Sequence, residues 1–177
     1  MLIPEKWRDY ELVDTGDGEK LERWGDYVVA RPDSRIIWNK GNPEIWNRAD
    51  AIFENENWKF RTQPPSNWMI SYEPFVKFKL RPTDFKHTGV FPEQAVNWEW
   101  LSERFNPAVA GQDSKYKVLN LFAYTGGATM AAANAGAHVT HVDASKPVMM
   151  WAGENAKLSG TCFKTLELLR CGRWMTG

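Results

Sequence analysis

The sequence predicts an α/β protein: a small β-rich amino-terminal domain followed by the first β-α-β-α units of a doubly wound parallel-sheet domain. Three observations predict it. Residues 1–84 read as short apolar stretches broken by turn residues, as in a small antiparallel sheet. From Lys115 the texture changes to an almost continuous apolar run, Val118-Leu119-Asn120-Leu121-Phe122, which suits a parallel strand covered on both faces. An Ala-rich helical segment and a second short strand ending in an acid then follow.

Taken in order, Tyr10 to Asp14 is a strand candidate, Thr15-Gly16-Asp17-Gly18 a turn, and Lys20 to Trp24, Gly25-Asp26 and Tyr27 to Ala30 a hairpin. Pro32, Gly41 and Pro43 punctuate the next stretch, and Glu44 to Phe53 is expected to form a short helix. Asn57 to Arg61 and Trp68 to Tyr72 read as strands on either side of a Pro64-Pro65-Ser66-Asn67 loop. Phe75 to Leu80 alternates apolar and basic residues, so its basic face should meet solvent. Residues 85–114 form a connecting segment: Pro92 opens a helix whose Val96, Trp100 and Leu101 share one face to about Phe105, and Asn106 to Ser114 is a linker.

Residues 115–160 hold the second domain. After the Val118 strand comes the turn Ala123-Tyr124-Thr125-Gly126-Gly127, then a helix over Ala128 to Ala135 with Gly136 as its terminator. His138 to Val142 is a strand ending at Asp143. Ser145 caps a last helix, with Pro147 in its first turn, running to about Leu158.

Composition limits the function classes. The 177 residues are 43% hydrophobic and 14% aromatic, which supports a buried core and excludes disordered, collagen-like and coiled-coil architectures. With 22 Lys+Arg against 22 Asp+Glu, total charge neither implies nor excludes a nucleic-acid partner. No apolar run reaches the roughly 20 residues of a membrane-spanning helix, and the start lacks a signal-peptide pattern, so a cytoplasmic location is expected. Cys162 and Cys171 have no zinc or disulfide framework around them, and His87, His138 and His141 lack metal-ligand spacing, so no metal is expected. Trp24, Trp58, Trp68 and Trp100 are expected to fill a small core rather than to stack on bases.

The strand, glycine turn, helix and second strand with a terminal acid make half of a nucleotide-type site. Gly126 and Gly127 let a ligand approach the backbone, and Asp143 can accept from ribose hydroxyls. G-x-G-x-x-G is absent, which argues against a nicotinamide-dependent oxidoreductase. The string VLNLFAYTGGATMAAANAGAHVTHVDASKPVMMWAGENAKLSG, from Val118 to Gly160, closely resembles the S-adenosylmethionine-binding half of class I methyltransferases, in the bacterial family that methylates cytosine carbon 5 of large-subunit ribosomal RNA. FKHTGVFPEQAVNW, from Phe85 to Trp98, and DTGDGEKLERWGDYVVARPD resemble upstream segments of the same family.

The resemblance implies a Rossmann-like fold, S-adenosyl-L-methionine as cofactor and ribosomal RNA as partner. It places Asn120, Phe122, Tyr124, Thr125, Gly126 and Gly127 at the methionine end of the cofactor and Asp143 at the ribose, with Ala144 and Ser145 following the acid; Phe91 and Gln94 match a segment over the methionine end. The family's nucleophilic cysteine and Asp-Pro-Pro motif have no counterpart, so no catalytic residue is assigned and the chain reads as a truncated form. Residues 161–177 read as an aberrant tail: Trp174-Met175-Thr176 back-translates, one frame over, to two aspartates, as the family's third strand would require. The other reading from the residues is a non-catalytic RNA-binding module using Lys77, Lys79, Arg81 and Lys86.

Overall fold

The computed structural model describes residues 4, 6–74, 76–106, 116–161 and 166–170. Cys162, Cys171, Trp174 and most of the linker expected up to Ser114 lie outside them. The chain divides into two compact units, one of Trp7–Ser71 and Lys79–Gly89, the other of Met1–Lys6, Tyr72–Phe78 and Val90–Gly177.

The first unit is built on a five-stranded sheet with strands in sequence order: β1 (Tyr10–Gly16), β2 (Glu19–Trp24), β3 (Tyr27–Pro32), β4 (Ala51–Glu54) and β5 (Asn57–Phe60). All pairs are antiparallel except β3 with β4, and a register shift at Val13 bulges β1. The helix expected over Glu44 to Phe53 is a 3-10 segment, Pro43–Arg48, followed by β4. The cause is Asp50. Its backbone N–H donates to Val28 O at 2.7 Å and its carboxylate accepts from Val28 N at 2.9 Å, which turns the chain into the sheet beside β3.

Leu21, Ala30, Trp46 and Ala49 form the buried cluster over this sheet, with Val28, Ile45 and Ile52 packed against it. A charged pair is buried as well. Glu22 accepts two bonds from the Arg31 guanidinium and one from Tyr10 Oη at 2.9 Å, while the guanidinium lies 5.4 Å from the Trp24 ring centre. Trp24 and Trp68 are buried as expected, with Trp68 Nε1 donating to Trp24 O at 2.9 Å, and half-buried Trp58 donates to Thr83 O at 2.8 Å.

β6 (Met69–Tyr72) and β7 (Val76–Lys79) form a two-stranded sheet. In β7, Val76 and Phe78 are buried and Lys77 is exposed, as the alternation requires. The second unit then contains α1 (Ala95–Phe105), β8 (Lys117–Leu121), α2 (Gly127–Asn134), β9 (His138–Asp143), α3 (Lys146–Leu158) and β10 (Leu166–Arg170). The face of α1 differs from the expected one: Ala95 and Trp98 are buried, while Trp100 is 60% exposed and belongs to no core. Trp98 packs between Tyr72 and Phe78, with ring centres 5.9 and 5.2 Å away.

β8, β9 and β10 form a parallel sheet in the order β10-β9-β8. The expectation of only two parallel strands is corrected here: Leu166–Arg170, within the segment read as an aberrant tail, is a strand in register with Val139 to Asp143. The apolar run of β8 suits coverage on both faces, but β8 stands at the end of this sheet with one face open. Val118 and Asn120 are partly covered, but Leu119 and Leu121 on the other face are 63% and 53% exposed and Phe122 is 92% exposed. Helix bounds follow the sequence closely. Gly136 is left-handed after α2, Ser145 Oγ accepts from Val148 N at the start of α3, and Pro147 sits in that first turn.

Candidate cofactor site

The loop between β8 and α2 is the centre of the site. Phe122 and Tyr124 take left-handed backbone conformations, φ 53° and 52°, and Gly126 takes φ 95°. Left-handed aromatic residues are uncommon and are retained where surrounding contacts hold them. Those contacts are present. Tyr124 N donates to Asp143 Oδ2 at 3.0 Å, Ala123 N to Val142 O at 3.1 Å, and buried Asn155 of α3 donates to Thr125 O at 3.0 Å.

The two glycines answer two different needs. Gly126 supplies the strongly positive φ. At Gly127 a Cβ would lie 2.6 Å from the Trp98 ring, so only a residue without a side chain lets α1 and α2 approach this closely. Gly127 opens α2, whose first turn adds backbone N–H groups at the positive end of its dipole.

Beside this loop lies a cleft of about 490 Å³. Of the residues expected to bind cofactor, Asn120, Phe122, Tyr124, Thr125, Gly126, Gly127, Phe91 and Gln94 line it. The Phe91 and Tyr124 ring centres are 5.2 Å apart. Gln94 precedes α1 and its Oε1 accepts from Asn97 Nδ2 at 2.8 Å. Asp143, Ala144 and Ser145 are not among the lining residues. Asp143 sits at the end of β9, its Oδ2 accepting from Tyr124 N and its Oδ1 from Ser145 N at 2.9 Å, so it clamps the loop to the start of α3.

Sequence reasoning missed three residues here. Trp98 forms a wall of the cleft and meets Gly127; its proximity to Trp100 in the sequence concealed which of the two faces inward. Thr129 and His141 are buried beneath the loop, where Thr129 Oγ1 lies 2.8 Å from Asn120 Nδ2 and 2.9 Å from His141 Nδ1. Burial holds the His141 imidazole below the usual histidine range, against opposing pulls from Asp143 and the Tyr124 backbone. A polar Thr in an otherwise Ala-rich helix is the one sequence signal that could have pointed to it.

No family model matches the chain. Over 111 residues, 60% of its length, it is 39% identical to ribosomal RNA large subunit methyltransferase K/L of Shewanella baltica, and equally to that of Shewanella oneidensis. The chain spans 14% of the length of these curated relatives. The crystal structure of a SAM-dependent methyltransferase from Agrobacterium tumefaciens superposes with a TM-score of 0.82 at 44% identity, over 91% of this chain and 52% of that one. The tRNA (uracil-54, C5)-methyltransferase of Pyrococcus abyssi, in complex with S-adenosyl-L-homocysteine, shares the fold at 16% identity and a TM-score of 0.51, over 87% of this chain and 39% of that one. The described residues therefore carry the Rossmann-like α/β fold of the S-adenosylmethionine-dependent methyltransferases, with a β-rich region before it.

Proposed function

We propose that this chain binds S-adenosylmethionine in the cleft beside the β8–α2 loop, as part of a cytoplasmic methyltransferase acting on large-subunit ribosomal RNA. The observation that carries the reading is the loop itself: a glycine pair opening a helix, clamped by an acid at the tip of the next strand. The residues fit the cofactor. Each Asp143 oxygen spends one acceptor site on a backbone N–H and keeps another for a ribose hydroxyl. The loop from Phe122 to Gly127 lines the cleft, and α2 offers N–H groups to a carboxylate. Phe91 and Tyr124 present ring surface suited to a cationic sulfur.

When bound, S-adenosylmethionine supplies an electrophilic methyl group on a positively charged sulfur. The chain's own residues bind and orient it. Asn120, Tyr124 and the glycines fix the amino-acid end, and Asp143 fixes the ribose. No described residue is assigned to attack or deprotonate the base.

Titration of the ¹⁵N-labelled chain with S-adenosylhomocysteine tests the reading. Saturable amide shifts are expected at Tyr124, Gly126, Gly127 and Asp143, and Asp143→Asn should weaken binding about five- to tenfold. Unmoved loop amides at millimolar ligand overturn the cofactor assignment. Ribosomal RNA is tested separately: binding of a large-subunit rRNA fragment should weaken linearly with log salt concentration, and absence of binding at low salt removes it.

A further inference from the structure

Asn120, Thr129 and His141 form a hydrogen-bonded row from the cleft wall to the buried underside of the loop. Asn120 lines the cleft from β8, Thr129 is in the first turns of α2, and His141 is fully buried on β9. Asn120 Nδ2 to Thr129 Oγ1 is 2.8 Å, and Thr129 Oγ1 to His141 Nδ1 is 2.9 Å. The second imidazole nitrogen, Nε2, has no hydrogen-bond partner among the described residues.

A hydroxyl has one proton, and that count restricts the row. With the Thr129 proton in use there are two ways to make both bonds. In one, the Asn120 amide donates to Thr129, Thr129 donates to His141 Nδ1, and the imidazole proton sits on Nε2. In the other, every arrow reverses: Nδ1–H donates to Thr129 and Thr129 donates to the Asn120 oxygen. The two differ in what they leave at the cleft. The first leaves an amide oxygen, an acceptor; the second leaves an amide NH₂, a donor.

The contact at the cleft end chooses between them. The Asn120 amide nitrogen, not its oxygen, faces Thr129 Oγ1 at 2.8 Å, so Thr129 accepts there and has its one proton left for His141 Nδ1 at 2.9 Å. The imidazole proton then sits on Nε2.

We propose that His141 and Thr129 are positioning residues that fix the polarity of this row, so that Asn120 presents an acceptor and the cleft selects a ligand carrying a cationic ammonium donor. The ligand part of the inference rests on the cofactor reading above; the polarity of the row does not. The ammonium of an amino-acid moiety is the group such an acceptor would take, while ligands lacking it would gain nothing from the arrangement.

Histidine ¹⁵N NMR on the full chain reads the polarity without any ligand, with His141→Asn assigning the resonance among the three histidines. The expected result is a neutral imidazole protonated at Nε2. Asn120→Asp, which leaves only acceptors at the far end of the row, should draw the Thr129 proton toward itself and move the imidazole proton to Nδ1. Thr129→Val should abolish that response. An Nδ1–H tautomer in the parent chain, or a tautomer indifferent to Asn120→Asp, overturns the proposal.

The ligand arm compares S-adenosylhomocysteine with methylthioadenosine, which lacks the amino-acid end. His141→Leu should weaken the first about three- to tenfold and leave the second unchanged, and His141→Asn, which can again accept from Thr129, should restore affinity. Equal weakening of both ligands marks a merely structural role and overturns the selection. A parent chain that binds neither ligand removes the cofactor reading and the selection that rests on it, and the NMR result still decides the row.

Discussion

At the scale of single residues, the contacts that matter are those that tolerate no substitute. Gly127→Ala places a methyl group against the Trp98 ring and should cost about 1–3 kcal/mol in urea unfolding, with Trp98→Phe recovering part of the loss. Arg31→Met strips buried Glu22 of both guanidinium bonds and leaves it Tyr10 Oη and Lys20 Nζ, the latter at 3.6 Å, so it should destabilise by about 3 kcal/mol, the low end for a broken buried pair, whereas the double variant Glu22→Leu/Arg31→Met should recover most of it. Phe122 is almost wholly exposed, so burial places no demand on it, yet its left-handed backbone does. Saturation mutagenesis at Phe122 and Tyr124, scored by protein abundance, should accept Gly and Asn and reject Val and Ile.

At the scale of elements, β9 and α3 together set the loop, and β9 carries a pH response. The His141 pKa is lowered in the folded chain, so below the ordinary value of about 6.5 the unfolded chain takes up the proton more readily. Stability is therefore complete above about pH 6.5 and falls as pH drops below it. His87 in the other unit acts in the same direction, first through burial and then through Arg31, Lys86 and Lys20, with Glu22 opposing. Denaturant midpoints between pH 7.5 and 5 should show the decline, and His141→Asn should flatten the share belonging to the second unit. Much of this architecture was legible in the sequence. α3 announces itself by Ser145 and Pro147 and the loop by its glycines, because caps and turns are local chemistry. What escaped depends on distant partners: β10 exists through its ladder with β9, β4 through Asp50 meeting Val28, and the burial of Trp98 rather than Trp100 through Tyr72 and Phe78. The Thr129–His141 contact joins a helix to a strand, and no spacing within either reveals it.

At the scale of the whole molecule, Leu119, Leu121 and Phe122 make β8 an exposed apolar strand at the end of its sheet among the described residues. Such a surface promotes association. Sedimentation velocity of the chain at rising concentration should show self-association, and Leu119→Lys with Leu121→Lys should reduce it without lowering the unfolding midpoint. None of the described helices is long and apolar enough to cross a membrane. The sheets have one more property in common: β1 to β5, β6 with β7, and β8 to β10 each join strands that are consecutive in the chain. Among the described residues each ladder can therefore close as soon as the second strand of a pair leaves the ribosome, with no strand held waiting for a distant partner. That arrangement keeps the entropic cost of loop closure low and lets these ladders form in the order in which their strands are made.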